Sequence, residues 1–359
     1  MRDNFEFALN QVKPGYVIAL GSDDGLVPGC IWRMYEILKE TGKELLTWVP
    51  ASFCYPTPDS GEHNIFLVRR KKKTFIKTIK SSDFLRKISN TFRYQIDECP
   101  MFYIKGVAST SLIEKVKSRT ADHNFYYCPT PDGFSGVVLA GEVEDYAYTN
   151  EPLSIGGTTI KSQGQNYRRT DKRSRQESEQ FFKDNVRRTM HPQLASQQYS
   201  PLVTLMTADY LLTAKDLPGW PGACYDVSFE NMLIQSFKLM SDSYFENEVL
   251  IRELKILRKI SEQHGLLNLF DELYKNTQRS YVKAPEVYGS AITHSIRFDG
   301  SEIGINNIFD AAIAVNFVSN LSNRLSVSSV LTMLKNSVRI VRRSHQKVRE
   351  KLPIIETWE

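Results

Sequence analysis

The stretch that decides the fold runs from residue 16 to residue 28 and reads YVIALGSDDGLVP. Residues 16–20 are apolar and rich in strand-forming types, and a Gly-Ser-Asp-Asp-Gly turn follows them, so the sequence predicts a short buried strand that ends in an acidic turn. Pro28 suits the first turn of a helix, which the apolar Tyr35 and Leu38 extend.

Similar patterns recur along the following hundred residues. Residues 45–49 and 65–68 read as further strands, and Ser111 with Glu114 has the spacing of a capping box for a helix that ends near Lys117. Because strands and helices alternate, the sequence predicts an α/β fold rather than a helical bundle.

Composition divides the chain into three segments. Residues 1–165 carry the α/β pattern, residues 166–190 form a basic polar linker rich in Arg, Lys, Gln and Glu, and residues 191–359 are predicted to be a mainly α-helical C-terminal region. In that region Ser243 and Glu246 are expected to cap a helix. Two apolar stripes are predicted to face the core, namely Leu250, Leu254 and Leu257, and Val327, Val330, Leu334, Val338 and Val341. Residues 281–305 give no clear pattern.

Overall composition is that of a globular protein. The chain has 359 residues, 41% of them hydrophobic, and a net charge of +5, which favours anionic ligands. Its five cysteines are scattered and never spaced as CxxC, so the sequence predicts a reducing compartment without a disulfide framework or zinc site. No signal peptide and no run of 18 apolar residues occurs, and we expect a cytoplasmic protein, peripheral at most at the inner face of the membrane.

The adjacent carboxylates of Asp23 and Asp24 follow the predicted first strand. Ligands of open α/β sheets bind at the carboxyl ends of strands, and carboxylates placed there can hold a hard cation that is shared with phosphates. A solvated turn, in which Asp24 only caps the next helix, is the alternative.

Two stretches together resemble one enzyme family. The first holds an Asn4-bearing helix, the strand beginning at Tyr16 and the acidic turn ahead of Pro28; the second reads PDGFSGVVLA over residues 131–140. Residues 151–157 (EPLSIGG) and the pair Ser162 and Gly164 follow in the same order. With this order and spacing, residues 1–165 resemble a family 2 glycosyltransferase.

The resemblance implies a partial GT-A (Rossmann-like) domain and a nucleotide-diphosphate sugar as donor. Ser22, Asp23 and Asp24 would bind the donor, with Asp23 and Asp24 holding Mg²⁺ or Mn²⁺. Asp132 would act as the general base that takes the proton from a hydroxyl of a glycan or lipid-linked acceptor, with inversion at the anomeric carbon. Alternatively, Asp132 is the N-cap of a helix that begins near Phe134.

The chain departs from the family pattern at two places. Gly21 stands where the first acid of the DxD motif would be. Only three residues precede Asn4, so relative to the family Met1 is either an internal start or the start of a shortened chain, and the resemblance implies a sheet with an exposed edge. Both departures favour the alternative function, a catalytically inactive remnant that serves as a binding or interaction module.

Two further features leave alternatives open. The basic run at residues 69–73, which residues 168–173 could extend, reads as a solvated loop, as a contact for anionic lipid head groups or as a phosphate site. Nucleic acid is not expected as a partner, because acids interrupt the basic residues and no binding motif occurs. Oligomerisation stays open. The aromatic residues of the first segment, Trp48, Tyr55, Tyr94, Tyr103 and Phe134, receive no assigned role.

Overall fold

The computed structural model describes most of the chain, namely residues 2–56, 64–69, 73–128, 130–159, 162, 176, 180, 189–197, 200–243, 245–281, 291–292, 295–318, 331–338 and 348–358. The predicted linker at 166–190 and the centre of the basic run at 69–73 therefore lie mostly outside the described residues.

The strands, in chain order, are β1 (Tyr16–Val17), β2 (Gly25–Leu26), β3 (Leu45–Trp48), β4 (Ala51–Cys54), β5 (Ile65–Arg69), β6 (Ile76–Lys80), β7 (Gly106–Ser109), β8 (Asp145–Thr149), β9 (Ser154–Thr158), β10 (Gln278–Tyr281), β11 (Ala291–Ile292), β12 (Ser295–Asp299) and β13 (Val348–Lys351). The helices are α1 (Arg2–Leu9), α2 (Cys30–Thr41), α3 (Ser81–Thr91), α4 (Thr110–Lys117), α5 (Pro131–Glu142), α6 (Val203–Lys215), α7 (Phe229–Asp242), α8 (Asn247–Gln263), α9 (Leu267–Asn276), α10 (Ile308–Val318) and α11 (residues 331–338).

Two mixed sheets, built mainly from the first half of the chain, confirm the α/β class. The first has the order β1-β7-β3-β8-β6 and the second the order β11-β12-β5-β4-β9-β2. The β3–β8 and β4–β9 pairs are parallel and the other pairs within these sheets are antiparallel. Two chain segments, residues 45–54 and 145–158, thus run side by side through both sheets.

The strand predictions met with different outcomes. β3 and β5 confirm the predictions at residues 45–49 and 65–68. The prediction of a buried strand over residues 16–20 is wrong. Strand β1 has only two residues, pairs with β7 alone at the edge of its sheet, and leaves Tyr16 48% exposed. Beyond β1 the chain leaves the ladder, and the carbonyl of Ala19 accepts a hydrogen bond from the Ile104 amide at 2.8 Å.

Helix α5 lies at the centre of the molecule. A Cβ at Gly133 would overlap the ring of Tyr210, one at Gly136 would lie 2.6 Å from Cys99 Sγ, and one at Gly141 would overlap the indole of Trp220. These glycines let α5 pack closely on Cys99 in the loop before β7, on helix α6 and on Trp220 after it, so one hydrophobic core contains side chains from before and after the predicted linker.

Helix ends differ in detail from those expected. Pro28 precedes α2, whose N-cap is Gly29, and Ser109 rather than Ser111 caps α4 by accepting a hydrogen bond from the Leu112 amide. Ser243 ends α7, and Glu246 is the N-cap of α8 but accepts no capping hydrogen bond through its side chain.

The C-terminal region is helical through α9 and then contributes strands. Leu250, Leu254 and Leu257 are fully buried, as predicted. The prediction that the second stripe faces the core is wrong for its described members, because Leu334 is 49% and Val338 51% exposed. Val327, Val330 and Val341 lie outside the described residues. The unassigned residues 281–305 supply β11 and β12, and β12 pairs with β5 and extends the second sheet. Among the described helices, none combines the length and apolar character needed to cross a bilayer.

Candidate functional site

The acidic turn between β1 and β2 is held in place by Asp24. Its Oδ2 accepts a hydrogen bond from the Gly21 amide at 2.8 Å, and its Oδ1 accepts one from the Gly157 amide of β9 at 3.0 Å. The hydroxyl of Tyr103 also donates to this carboxylate. Burial raises the pKa of Asp24 although these hydrogen bonds oppose the shift. Asp24 therefore fastens the turn to the sheet and has its carboxylate oxygens already engaged.

Gly21 and Tyr103 share one space. A Cβ at position 21 would overlap the Tyr103 hydroxyl and would lie 2.8 Å from Asp24 Oδ2. The phenol thus occupies the place into which a side chain at position 21 would extend. This contact gives a steric reason why glycine stands where the first acid of the motif is expected.

Asp23 lies beside Asp24 but has different partners. Its Oδ2 accepts a hydrogen bond from Ser162 Oγ at 3.2 Å. Its main chain packs directly on β9, because a Cβ at Gly157 would overlap the Asp23 carbonyl. The Asp23 side chain is partly exposed and Ser22 is exposed at the tip of the turn. Asp24 is partly exposed as well, but both of its oxygens accept amide hydrogen bonds, so Asp23 has the greater capacity to bind a ligand.

Asp132 lies in the first turn of α5, which begins at Pro131 with Thr130 as its N-cap. The N-cap interpretation of Asp132 is therefore wrong by two positions. Burial raises the pKa of the Asp132 carboxyl, while the backbone amide of Gly133 partly opposes that shift. The residue keeps some accessible surface.

Tyr103 connects the acidic turn with Asp132. Burial raises the pKa of its phenol, and the negative charges of Asp24, Asp23 and Asp132 raise it further. The Tyr103 hydroxyl, Asp24 Oδ2 and Asp23 Oδ1 all lie within 3.1 Å of the place that a Cβ at Gly21 would take, so these three groups are neighbours. Asp132, 109 positions after Asp23, acts on the same phenol through its charge.

The backbone beside Tyr103 is strained. Ile104 has φ +59°, a left-handed conformation that is costly for a β-branched residue. Its amide donates to the Ala19 carbonyl at 2.8 Å, and its own carbonyl accepts a hydrogen bond from Ser154. Such strain concentrates at functional sites, where the surroundings enforce it. Here it fixes Tyr103 against the acidic turn.

Further tyrosines surround Asp132. Burial is the main reason why the pKa values of the phenols of Tyr94, Tyr126 and Tyr210 are raised. The negative charge of Asp132 raises these pKa values further. Thr130 and Tyr210 hydrogen-bond through their hydroxyls, which links the start of α5 to α6. Sequence reasoning assigned no role to Tyr94 or Tyr103. Their approach to the acids comes from distant strands and helices, and no local pattern signals it.

The capacity of the site for a metal ion is limited. Within the described part of the chain, no three His, Cys, Asp or Glu side chains are grouped to hold a metal. Asp24 is occupied by amide and phenol donors, which leaves Asp23 as the available carboxylate of the turn. Mg²⁺ can be bound by one carboxylate together with substrate phosphates and water, so this donor set fits a metal only in company with a diphosphate.

Comparison with known proteins assigns no family, because no family model matches the chain and no curated protein matches it.

Proposed function

We propose that this chain transfers a sugar from a nucleotide-diphosphate sugar to a hydroxyl of a glycan or lipid-linked acceptor, with inversion, on a partial GT-A domain. The observation that carries the proposal is the Tyr103 hydroxyl, which lies beside Asp23 and Asp24 at the acidic turn and also feels the charge of Asp132. One site with a reachable carboxylate for the donor and a second carboxyl of raised pKa has the groups that such a transfer requires.

Asp23 is the donor-side residue in this proposal. Its partly exposed carboxylate would hold Mg²⁺ or Mn²⁺ jointly with the diphosphate, and Ser162 would orient it through their hydrogen bond. When bound, the metal supplies Lewis-acid stabilisation of the negative charge on the departing nucleotide. Ser22, at the exposed tip of the turn, can donate its hydroxyl to the same phosphates.

Asp132 is the general base. Burial makes its carboxylate more basic than a free aspartate, which favours proton abstraction near neutral pH. It takes the proton of the acceptor hydroxyl while that oxygen forms a bond to the anomeric carbon. The bond from that carbon to the diphosphate oxygen breaks on the opposite side, and the configuration inverts.

Asp24 and Tyr103 are positioning residues. Asp24 joins the turn to β9 through the Gly157 amide, and Tyr103 donates its hydroxyl to Asp24. Together they hold the acidic turn, and with it Asp23, in place against β9. A transfer reaction needs this fixed geometry because small displacements of reacting groups cost large factors in rate.

A second candidate function is a catalytically inactive binding or interaction module. It is favoured by the replacement of one acid by Gly21, whose side-chain space Tyr103 fills, and by the engagement of both Asp24 oxygens. In this case the site would be a folded remnant without donor affinity.

Product formation separates the two candidates. The full chain is incubated with a panel of nucleotide-diphosphate sugars, Mn²⁺ and hydroxyl acceptors, and released nucleoside diphosphate is quantified. Asp132→Asn should lower turnover by about 10²-fold or more while donor affinity stays unchanged. The matched control is Asp145→Asn, an acid of β8 that pairs with Lys43. Turnover that Asp132→Asn leaves intact would exclude the assigned base.

A further inference from the structure

Helix α10 has apolar residues on the side that faces away from the protein. Ala311, Ala312, Val315 and Val318 are buried against the second sheet. On the opposite side, Phe309 is 71%, Ile313 37% and Phe317 69% exposed, in an i, i+4, i+8 series that lines one face. Apolar side chains on both the buried and the exposed side of a surface helix indicate a contact that the described part of the chain does not make.

Helix α11 repeats this arrangement. Met333 and Ser337 face inward and are buried. Leu331 is 60%, Leu334 49% and Val338 51% exposed, in an i, i+3, i+7 series. We call these six exposed side chains the outer face; its members are Phe309, Ile313, Phe317, Leu331, Leu334 and Val338.

The charged residues at positions 311–349 are all basic. Between Asp310 and Glu350 the sequence contains no acidic residue but seven basic ones: Arg324, Lys335, Arg339, Arg342, Arg343, Lys347 and Arg349. Elsewhere, 39 Lys and Arg stand against 41 Asp and Glu, so the whole positive balance of the protein comes from these 39 residues. Lys335 is exposed on α11 beside Leu334.

We propose that the outer face binds the surface of an anionic lipid bilayer. Exposed Phe and Leu side chains on helices with flanking Lys and Arg insert at the boundary between head groups and acyl chains, and anionic lipids attract the cations. A second copy of the chain is a poorer occupant. A two-fold interface through α11 would bring the exposed Lys335 towards its own copy, and like charges across an interface oppose association.

Docking through the outer face would bring the candidate site close to the bilayer. The inner face of α10 touches the acidic turn, since a Cβ at Gly25 would lie 3.3 Å from Ile308 Cγ1. Asn316 Nδ2 donates to the Pro28 carbonyl at 3.3 Å. Only the width of one helix, about 10 Å, therefore separates this turn from the proposed membrane surface. The binding itself does not depend on the proposed sugar transfer.

Vesicle flotation with the full chain tests the proposal. The wild type should bind vesicles of phosphatidylcholine with phosphatidylglycerol, bind vesicles of phosphatidylcholine alone much more weakly, and dissociate as salt is raised. Replacing both exposed phenylalanines, Phe309→Ser with Phe317→Ser, should lower partitioning by about tenfold or more, because their burial is lost. Lys335→Glu should lower it about fivefold on anionic vesicles only.

Phe7→Ser is the matched control, because Phe7 is 69% exposed but lies on α1. It should bind vesicles as the wild type does. Absence of wild-type binding to the anionic vesicles would overturn the proposal, and so would an equal loss in Phe7→Ser. A concentration-dependent dimer in sedimentation velocity that the double Phe variant abolishes, without any vesicle binding, would overturn it in favour of a second copy.

Discussion

The hydroxyl of Tyr103 and a side chain at position 21 are mutually exclusive, since a Cβ on Gly21 would overlap that hydroxyl. The same hydroxyl donates to Asp24, which fastens the acidic turn to β9. The glycine of the turn and the tyrosine of the loop before β7 therefore depend on each other.

This dependence predicts energetic coupling. Gly21→Ala should lower the free energy of unfolding by about 1–3 kcal/mol, because the added methyl group overpacks the turn. In a Tyr103→Phe background, which removes the hydroxyl, the same change should cost at least about 1 kcal/mol less. Urea unfolding of the wild type, both single variants and the double variant gives the coupling energy.

A control cycle pairs Gly21→Ala with Tyr274→Phe. Tyr274 donates its hydroxyl to the Pro353 carbonyl in the C-terminal region, and it should show no coupling to position 21. Equal coupling energies in the two cycles would contradict the shared space of Gly21 and Tyr103.

The two neighbouring acids should respond differently to amide substitution. In Asp24→Asn, one of the amides of Gly21 and Gly157 loses its acceptor, so the free energy of unfolding should fall by about 1–3 kcal/mol. Asp23→Asn keeps an oxygen for Ser162 and should change stability by less than about 0.5 kcal/mol. Urea titrations measure both; equal losses would argue against the separate roles of these acids.

The buried carboxyl of Glu253 should make the free energy of unfolding depend on pH, independently of the candidate functional site. Burial raises its pKa from 4.5 to about 7, with one oxygen accepting a hydrogen bond from Ser200 and Arg252 3.6 Å from the other. Between these pH values the folded state holds a proton that the unfolded state has released. Stability from this group is therefore full below pH 4.5 and is lost as pH rises to about 7.

Glu253→Gln should flatten this pH dependence, because glutamine accepts the Ser200 hydrogen bond without ionising. Unfolding free energies from pH 4.5 to pH 8 provide the measurement, and the wild type should lose about 1–3 kcal/mol more than the variant. Glu262→Gln, an exposed position on the same helix, should retain the wild-type slope. A Glu253→Gln profile parallel to the wild type would contradict the assignment.

The raised pKa of Asp132 predicts how the turnover number falls at low pH. A general base works only when deprotonated, and burial raises the pKa of Asp132 above that of a free aspartate. The turnover number should therefore fall with decreasing pH at values above those of a free aspartate. Residual turnover of Asp132→Asn should lack this acid limb. A limb that persists unchanged in Asp132→Asn belongs to another group.

Local patterns predicted those elements whose environment follows from the residues themselves. The apolar runs of β3 and β5 and the Leu250, Leu254 and Leu257 stripe are examples. The strand at residues 16–20 failed because apolar residues can also line a sheet edge when only one neighbouring strand pairs with them. The prediction that Leu334 and Val338 face the core was wrong because periodicity identifies an apolar face but not the surface that covers it.

The candidate site was predictable in its acids and not in its geometry. Asp23, Asp24 and Asp132 carry recognisable spacing, whereas Tyr103 reaches them through a loop 82 positions after Gly21. The distinct roles of Asp23 and Asp24 depend on Gly157 and Ser162, which arrive with β9 and the chain just after it. Such long-range contacts leave no periodic signal in one sequence.

Calorimetric titration with nucleotide-diphosphate sugars in the presence of Mn²⁺ tests the central claim most directly. The account predicts that the full chain binds at least one donor and that Asp23→Asn weakens this binding by about tenfold or more, while the exposed control Asp122→Asn does not. No binding of any donor, or equal affinity of the wild type and Asp23→Asn, would contradict it.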